Sequence, residues 1–268
     1  MTSPNPNIDS VHAIRIEGVD AHRFAQAQFS GDVDALAPGR WQWNAWLTAQ
    51  GRVAALMHLA DPGDGTLLAV LRGGCAESVR STLARYLLRM HATLTVESFT
   101  ARSGDPEACG VAASDSGRIV LGYGTRSLRL EPVQDLPTDP AARACWRLED
   151  IRQGWPSLPA DDPRFLPPAL GLEHLGAVSF NKGCFPGQEI AARLHYRGGC
   201  KSRLCLLHGS APLSAGEIRH ADGTASGWIL DAVTVSERTE ALAVLSGREA
   251  REIMTIGCTY AVAHEFGA

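Results

Sequence analysis

The apolar pattern of the chain changes near residue 203, and this change constrains the fold more than any other feature of the sequence. Before it, segments with the alternation of β-strands are interleaved with segments whose apolar residues recur at helical spacing. After it, short strand-like segments follow one another between glycine turns. The sequence therefore predicts an α+β region over 11–202 and an antiparallel β-barrel or sandwich over 203–268, preceded by a disordered lead at 1–10.

Four segments of the α+β region bear on a possible site. Helices are expected over 77–90 and 188–196, where apolar residues recur on one face. The apolar stretch 177–180 predicts a short strand. The proline cluster in 155–168 predicts a loop, because proline removes a backbone donor and interrupts helices.

Composition excludes several classes of protein. Of the 268 residues, 45% are hydrophobic and 20% are charged, as in a globular protein rather than a disordered chain or a coiled coil. The 25 basic and 29 acidic side chains give a net charge of −4. There is no basic excess to bind a phosphate backbone, so we expect no stable, direct nucleic-acid binding.

The sequence also predicts a location. It contains no apolar run of the roughly 18 to 20 residues that a membrane span requires. The first ten residues lack the basic start and apolar core of a signal peptide. Its seven cysteines include no CxxC pair, which is typical of free thiols in a reducing compartment. We therefore expect a cytoplasmic protein without a membrane partner.

The glycine-rich turn over 181–187 carries the strongest candidate for chemistry. Cys184 is expected at or just before the N-terminus of the following helix, two residues from Lys182, and both features favour a thiolate. Gly183 and Gly187 leave room for a ligand to approach the backbone. Cys184 is therefore a candidate reactive thiol whose charge Lys182 tunes; an inert, buried cysteine is the alternative.

The helix after this turn has predicted contacts of its own. Glu189 lies in its first turn, where the helix dipole favours a carboxylate, and Arg193 four residues on is its expected ion-pair partner. With Gln188, these residues are expected to hold the turn. Only two of the 25 basic side chains are lysines, Lys182 and Lys201, which hints that a guanidinium would not serve at those positions.

Familiar catalytic motifs are missing from the sequence. None of the nine histidines stands in an HExxH pattern, and no GxSxG, P-loop or GxGxxG segment occurs. The enzyme classes that these motifs mark lose support. The cysteines do not follow a metal-ligand spacing, so we expect no permanently bound metal or cluster.

The segment 182–189, KGCFPGQE, resembles a known family signature when taken with Ala192-Arg193 and Arg197-Gly198. That signature is KGC[YF]xGQE…AR…RG of the YgfZ family. Its members are folate-binding proteins that support iron–sulfur cluster assembly and repair, and they are related to the glycine-cleavage T-protein, an aminomethyltransferase. A weaker likeness extends over most of 11–265. The chain departs from the pattern at Pro186, where the family usually has Thr.

The resemblance implies a T-protein-like cloverleaf of α/β subdomains, closed by the C-terminal barrel, around a central hole that holds tetrahydrofolate or a derivative. It suggests Arg152 as a cation for the glutamyl tail of the folate or its surroundings. It implies that Cys184 is a nucleophile or a transient, cluster-related thiol. The implied partners are reduced folate and iron–sulfur proteins or cluster-assembly factors, with an indirect benefit to cluster-dependent tRNA-modifying enzymes.

The T-protein's catalytic carboxylate has no clear counterpart in this chain. Gly73-Gly74-Cys75 match the T-protein segment, and the carboxylate position then falls on Val79. Glu77 is two residues away and points elsewhere on a helix. The leading hypothesis is therefore a tetrahydrofolate-binding accessory protein without the T-protein reaction. The alternatives are an active folate-dependent aminomethyltransferase or demethylase, and an interaction scaffold with a vestigial folate site.

Overall fold

The structure is a computed structural model, and it describes residues 5–113, 117–159, 163–219, 225–247, 252–255 and 258–266. Two antiparallel sheets account for all the named strands, and four α-helices pack against them in this part of the chain. The α+β class is thereby confirmed.

The first sheet has eight strands and spans the first half of the chain. Its strands are β1 (Asn7–Glu17), β2 (Arg40–Leu47), β3 (Val53–Asp61), β4 (Leu67–Leu71), β5 (Thr93–Gly104), β6 (Gly110–Ala113), β7 (Ile119–Gly122) and β8 (Ser127–Pro132). Their order in the sheet is β2-β3-β4-β1-β5-β8-β7-β6. All five residues of β4 are buried, as expected for an apolar strand in the middle of a sheet.

The second sheet has six strands and contains the C-terminal part of the chain. Its strands are β9 (Ser202–Gly209), β10 (Gly216–Arg219), β11 (Ala225–Val235), β12 (Arg238–Ser246), β13 (Glu252–Thr255) and β14 (Cys258–Phe266). The order is β10-β11-β12-β9-β14-β13, so β10 and β13 are the edges of an open half-barrel among the described strands. All the named strands from Ser202 onward belong to this second sheet, and the predicted domain boundary at residue 203 stays a prediction.

The helices are α1 (Ala21–Gln28), α2 (Ala76–Leu83), α3 (Pro140–Gln153) and α4 (Gln188–Arg197). The longest, α3, has well-defined ends. Asp139 caps its N-terminus by accepting hydrogen bonds from two backbone N–H groups, and Gly154 ends it in a left-handed conformation. This helix contacts β1 of the first sheet and β11 and β12 of the second, and so spans the junction between the two sheets.

Two predictions differ from the structure: the disordered lead at 1–10 and the short strand at 177–180. Strand β1 begins at Asn7, where it pairs with Arg102 of β5, so residues 7–10 are not a disordered lead; residues 1–4 lie outside the described part of the chain. The segment 177–180 is not a strand. Its backbone N–H groups donate instead to loops: that of Ala177 to the carbonyl of Leu172, and that of Ser179 to the carbonyl of Ser30, both at 2.8 Å.

The helix expected over 77–90 is shorter than its apolar spacing suggests. It ends at Leu83 and is followed by one 3-10 turn, Ala84–Tyr86. Arg89 then adopts a left-handed φ of 61°, which no helix continues. The apolar Leu87 and Met90 still reach the core, because the turn brings them back against it.

One apolar cluster joins the two sheets. Trp43 and Leu56 of the first sheet, Ile151 of α3, and Leu204 and Leu230 of the second sheet all belong to it. The sheets are therefore held together by a shared core and not by surface contacts alone. None of the helices in the described residues has the length and apolar character to cross a membrane.

Candidate functional site

The turn before α4 is anchored by Lys182. Its ammonium group donates three hydrogen bonds to backbone carbonyls at the end of α1: to Gln26 at 2.6 Å, Phe29 at 2.7 Å and Gly31 at 2.8 Å. The carbonyls at a helix C-terminus lack intrahelical donors and favour a positive charge. Three converging acceptors match the three hydrogens of an ammonium group, which a planar guanidinium would not.

Burial lowers the pKa of Lys182 to about 8, while the nearby Asp32 and Asp34 carboxylates oppose that shift. At neutral pH the side chain is therefore still an ammonium ion with all three hydrogens engaged. These contacts give Lys182 a structural role, and its influence on the charge of Cys184 stays a prediction. The lysine fixes the turn onto α1, because its donors are directed at backbone carbonyls.

Cys184 is exposed, and its thiol makes no hydrogen bond to any described residue. It lies three residues before Gly187, the N-cap of α4, and therefore precedes the helix terminus rather than occupying it. The alternative of an inert, buried thiol does not apply here. It does apply to Cys205, which is fully buried and whose pKa burial raises to about 11.

The two glycines of the motif have different surroundings. Gly187 has a left-handed φ of 75°, and a side chain there would collide with the carbonyl oxygen of Thr48. The turn at Gly51 packs directly against it, and a Cβ at Gly51 would lie 2.7 Å from Cβ of Ile190. Gly183, in contrast, faces open space, because a Cβ added there would meet no atom within 4 Å. Of the two glycines of the motif, only Gly187 is therefore required by close packing.

The expected ion pair on α4 does not form. Glu189 and Arg193 are both exposed, and no ion pair joins them among the described side chains. Both side chains extend into solvent, where an i,i+4 pair contributes little against the entropy of ordering it. Gln188 is half-buried, and its N–H donates to the carbonyl of Phe185 at 3.2 Å, which closes the turn.

A cavity of about 530 Å³ lies between the two sheets and is separate from the residues of the motif. Strand β1, the end of β4 with Gly73-Gly74, helix α3 and strand β11 line it. On one side, Asp150 of α3 accepts from Arg72 at 2.9 Å and also pairs with Arg126. Neither Lys182 nor Cys184 is among the lining residues.

Helix α3 also contributes two arginines to the lining of this cavity. Arg143 pairs with Asp9 of β1 at 2.9 Å, and Arg147 pairs with Asp231 of β11, with Nε and Oδ2 3.1 Å apart. Both guanidinium groups remain partly exposed, at 48% and 39% of the side chain. They are therefore cations that an anionic ligand in the cavity could reach.

Arg152 is not part of this set, contrary to expectation. Its guanidinium is occupied by Glu240 of β12, with hydrogen bonds of 2.8 and 2.6 Å, and it does not line the cavity. Five residues along a helix from Arg147 correspond to a rotation of about 140° away from that side chain. The cations of α3 that line the cavity, Arg147 and Arg143, lie about one and a half and two and a half turns earlier on the same helix.

His58 is a functional candidate that sequence reasoning did not single out. His58 lines the cavity, is 1% exposed, and its Nδ1 lies 2.9 Å from the hydroxyl of Tyr123. The rings of Trp41, Trp43 and Trp155 surround it, with centroids 4.7, 4.2 and 5.8 Å away. A polar residue in the apolar run LMHLA of β3 was the one signal that could have indicated it.

The T-protein carboxylate position behaves as a core position. Val79 is buried in the apolar cluster under the first sheet. Glu77 points outward and pairs with Arg80, with Oε1 2.9 Å from Nε. Neither residue lines the cavity. The described residues contain no group of three or more His, Cys, Asp or Glu side chains placed to hold a metal ion.

Comparisons with known proteins give the same assignment as the motif. The chain matches no protein-family model. It is 30% identical over 202 residues to an uncharacterized protein of Haemophilus influenzae, covering 72% of this chain and 69% of the relative. It is 28% identical over 225 residues to the tRNA-modifying protein YgfZ of Shigella sonnei and of Escherichia coli, covering 73% of this chain and 69% of each relative.

The glycine cleavage system aminomethyltransferase T from Bartonella henselae shares the fold. Its structure superposes with a TM-score of 0.71 over 97% of this chain and 84% of that chain, at 13% sequence identity. The expected T-protein-like fold is confirmed by this superposition. From its sequence relatives, the chain belongs to the YgfZ family, and it shares its fold with the glycine-cleavage T-protein.

Proposed function

We propose that this protein binds a reduced folate in the central cavity and acts as an accessory factor for iron–sulfur cluster assembly or repair. Through its client proteins it indirectly supports cluster-dependent tRNA-modifying enzymes in the cytoplasm. The observation that carries the proposal is the exposed Cys184 on a turn that Lys182 fixes to the end of α1. A surface thiol on a fixed turn is suited to meeting a partner protein.

The cavity residues fit a folate. Its volume of about 530 Å³ is within the roughly 300–1,000 Å³ usual for small-molecule sites. Arg143 and Arg147, each also paired with an aspartate of the cavity, are partly exposed cations for the glutamyl carboxylates. Trp146, Leu71 and Leu128 line the cavity and provide an apolar wall for a planar ring. When bound, a reduced folate supplies a carrier for one-carbon units; the residues named here bind and orient it.

A cellular test addresses the thiol. The test uses a strain that lacks this protein and measures cluster-dependent tRNA modification. We expect the unaltered chain to restore the modification. The Cys184→Ser variant is expected to leave it at the level of the strain without the protein. Cys145→Ser is the matched control, because Cys145 is also exposed and lies outside the motif. Full restoration by Cys184→Ser would overturn the role of the thiol.

An active aminomethyltransferase is the first alternative. It requires a carboxylate near the reacting folate atoms, and the burial of Val79 in an apolar cluster speaks against the T-protein arrangement. Formation of methylene-tetrahydrofolate from a small amine donor would favour this alternative. The second alternative is a scaffold with a vestigial site, favoured by a stable protein complex together with no folate affinity.

A further inference from the structure

His58 lines the central cavity and carries a buried polar atom that has no hydrogen-bond partner among the described residues. Its Nδ1 is paired with the Tyr123 hydroxyl, but its Nε2 is buried and has no hydrogen-bond partner among the described residues. An unpaired buried donor or acceptor costs about 1–3 kcal/mol, so such groups are rare unless a ligand completes them. Since His58 also lines the cavity, a ligand there is in a position to complete it.

The surroundings determine which ring nitrogen of His58 carries the hydrogen. The Tyr123 hydroxyl has no hydrogen-bond partner other than His58 in the described part of the chain. If Nδ1 donated to Tyr123, both the phenol hydrogen and Nε2 would be left unpaired. If Tyr123 donates to Nδ1, only Nε2 is unpaired, and it then carries the hydrogen. The second arrangement satisfies more buried groups, so Nε2–H is a donor.

His58 remains neutral in this environment. Burial lowers its pKa well below the usual value, and the positive charges of Arg72 and Arg126 lower it further. Burial likewise raises the pKa of Tyr123, which keeps the phenol protonated and able to donate. The site is therefore a neutral donor among aromatic rings, which suits a neutral acceptor such as a ring carbonyl.

We propose that His58 is a specificity-determining residue of the cavity, whose Nε2–H donates to an acceptor atom of the pterin ring of a reduced folate. The proposal rests on the proposed folate binding. The pterin is the part of folate with the required chemistry, because it is planar and carries a ring carbonyl and ring nitrogens. The glutamyl tail instead suits Arg143 and Arg147, which are paired with Asp9 and Asp231 but remain partly exposed and can bind a further carboxylate.

The test compares three probes in anaerobic binding titrations: tetrahydrofolate, 6-methyltetrahydropterin, which lacks the tail, and p-aminobenzoylglutamate, which lacks the pterin. The variant is His58→Phe with Tyr123→Phe, which preserves both rings and leaves no unpaired phenol hydrogen. We expect about 5- to 30-fold weaker binding of the two pterin probes and no change for p-aminobenzoylglutamate. His58→Gln, which keeps a side-chain N–H donor, should recover part of the loss.

A second readout does not depend on affinity. In the ¹⁵N spectrum of histidine-labelled protein, His58 is expected as the neutral tautomer protonated at Nε2, assigned by its absence in the double variant. Tetrahydrofolate should shift the Nε2 resonance more than that of Nδ1. Thermal unfolding of the double variant checks that the fold is retained.

The outcomes separate the two proposals. If the unaltered protein binds tetrahydrofolate and the double variant binds it equally well, the role of His58 is overturned and folate binding stands. If all three probes weaken alike in the double variant, the effect is on the cavity as a whole and the role of His58 is likewise overturned. If the unaltered protein binds none of the probes, folate binding falls, and the role of His58 falls with it.

Discussion

The ammonium group of Lys182 lies 2.8 Å from the carbonyl oxygen of Gly31, across 151 residues of sequence. With the carbonyls of Gln26 and Phe29 it completes a three-acceptor contact between the Cys184 turn and the end of α1. The lysine of the motif is therefore a positioning residue. It holds in place the turn that carries the exposed thiol.

Replacing Lys182 by Met should destabilise the protein. The change removes three hydrogen bonds from a charged donor and leaves buried carbonyls unpaired, with an expected loss of about 2–3 kcal/mol in the free energy of unfolding. Urea unfolding measures this loss. Lys201→Met is the control, because Lys201 is exposed and the only other lysine. Equal stability of both variants would contradict the anchoring role.

Lys182 should also titrate at an unusually low pH. Its pKa of about 8 lies below the ordinary value of 10.5, so the folded state binds fewer protons than the unfolded state between these values. Stability relative to Lys182→Met should therefore rise as the pH increases from about 8 to about 10.5, and be lowest below 8. Since the chain has two lysines, ¹³C-lysine spectra give two assignable titrations; two ordinary midpoints would refute the shift.

Much of the fold was predictable because it depends on local apolar spacing. The strand 67–71 and the all-β region after residue 203 follow from alternation that tertiary contacts reinforce. The predicted end of the helix over 77–90 was wrong, because a longer helix and a turn that folds back onto the core can both bury Leu87 and Met90. Helix termini depend on contacts that apolar spacing alone does not specify.

Of the candidate site, only the part that the sequence signature contains was predictable. The signature placed Cys184 on a turn before α4, and the structure shows that thiol exposed. The acceptors of Lys182 come from more than 150 residues away, and no local pattern encodes such a contact. The cavity is likewise formed by residues distant in sequence, so the sequence alone could not distinguish Arg147, which lines the wall, from Arg152, which does not.

Gly187 and Gly183 form a matched pair within the motif. Gly187→Ala should destabilise the protein by about 1–2 kcal/mol or more, because its φ of 75° disfavours a side chain and the carbonyl of Thr48 blocks the space. Gly183→Ala should be close to neutral, since no atom lies within 4 Å of the added methyl. Thermal unfolding compares them; equal losses would show that the turn packs differently.

Arg147 and Arg152 are a second matched pair, because each joins α3 to the C-terminal sheet through an acidic partner. Arg147→Ala should weaken tetrahydrofolate binding about fivefold to tenfold, since it removes a cation of the cavity wall. Arg152→Ala should leave the affinity unchanged, because Arg152 does not line the cavity. Calorimetric titration distinguishes them, and the reverse result would make Arg152 the cation for the glutamyl tail.

Folate binding in the central cavity underlies both the proposed function and the role of His58, and one measurement tests it directly. The purified protein is titrated anaerobically with tetrahydrofolate by calorimetry, with tryptophan fluorescence in parallel, because Trp146 lines the cavity and Trp41, Trp43 and Trp155 surround His58. We expect saturable binding in the micromolar range, about −8 kcal/mol, with a coincident change in fluorescence. No heat and no fluorescence change at millimolar tetrahydrofolate would contradict folate binding.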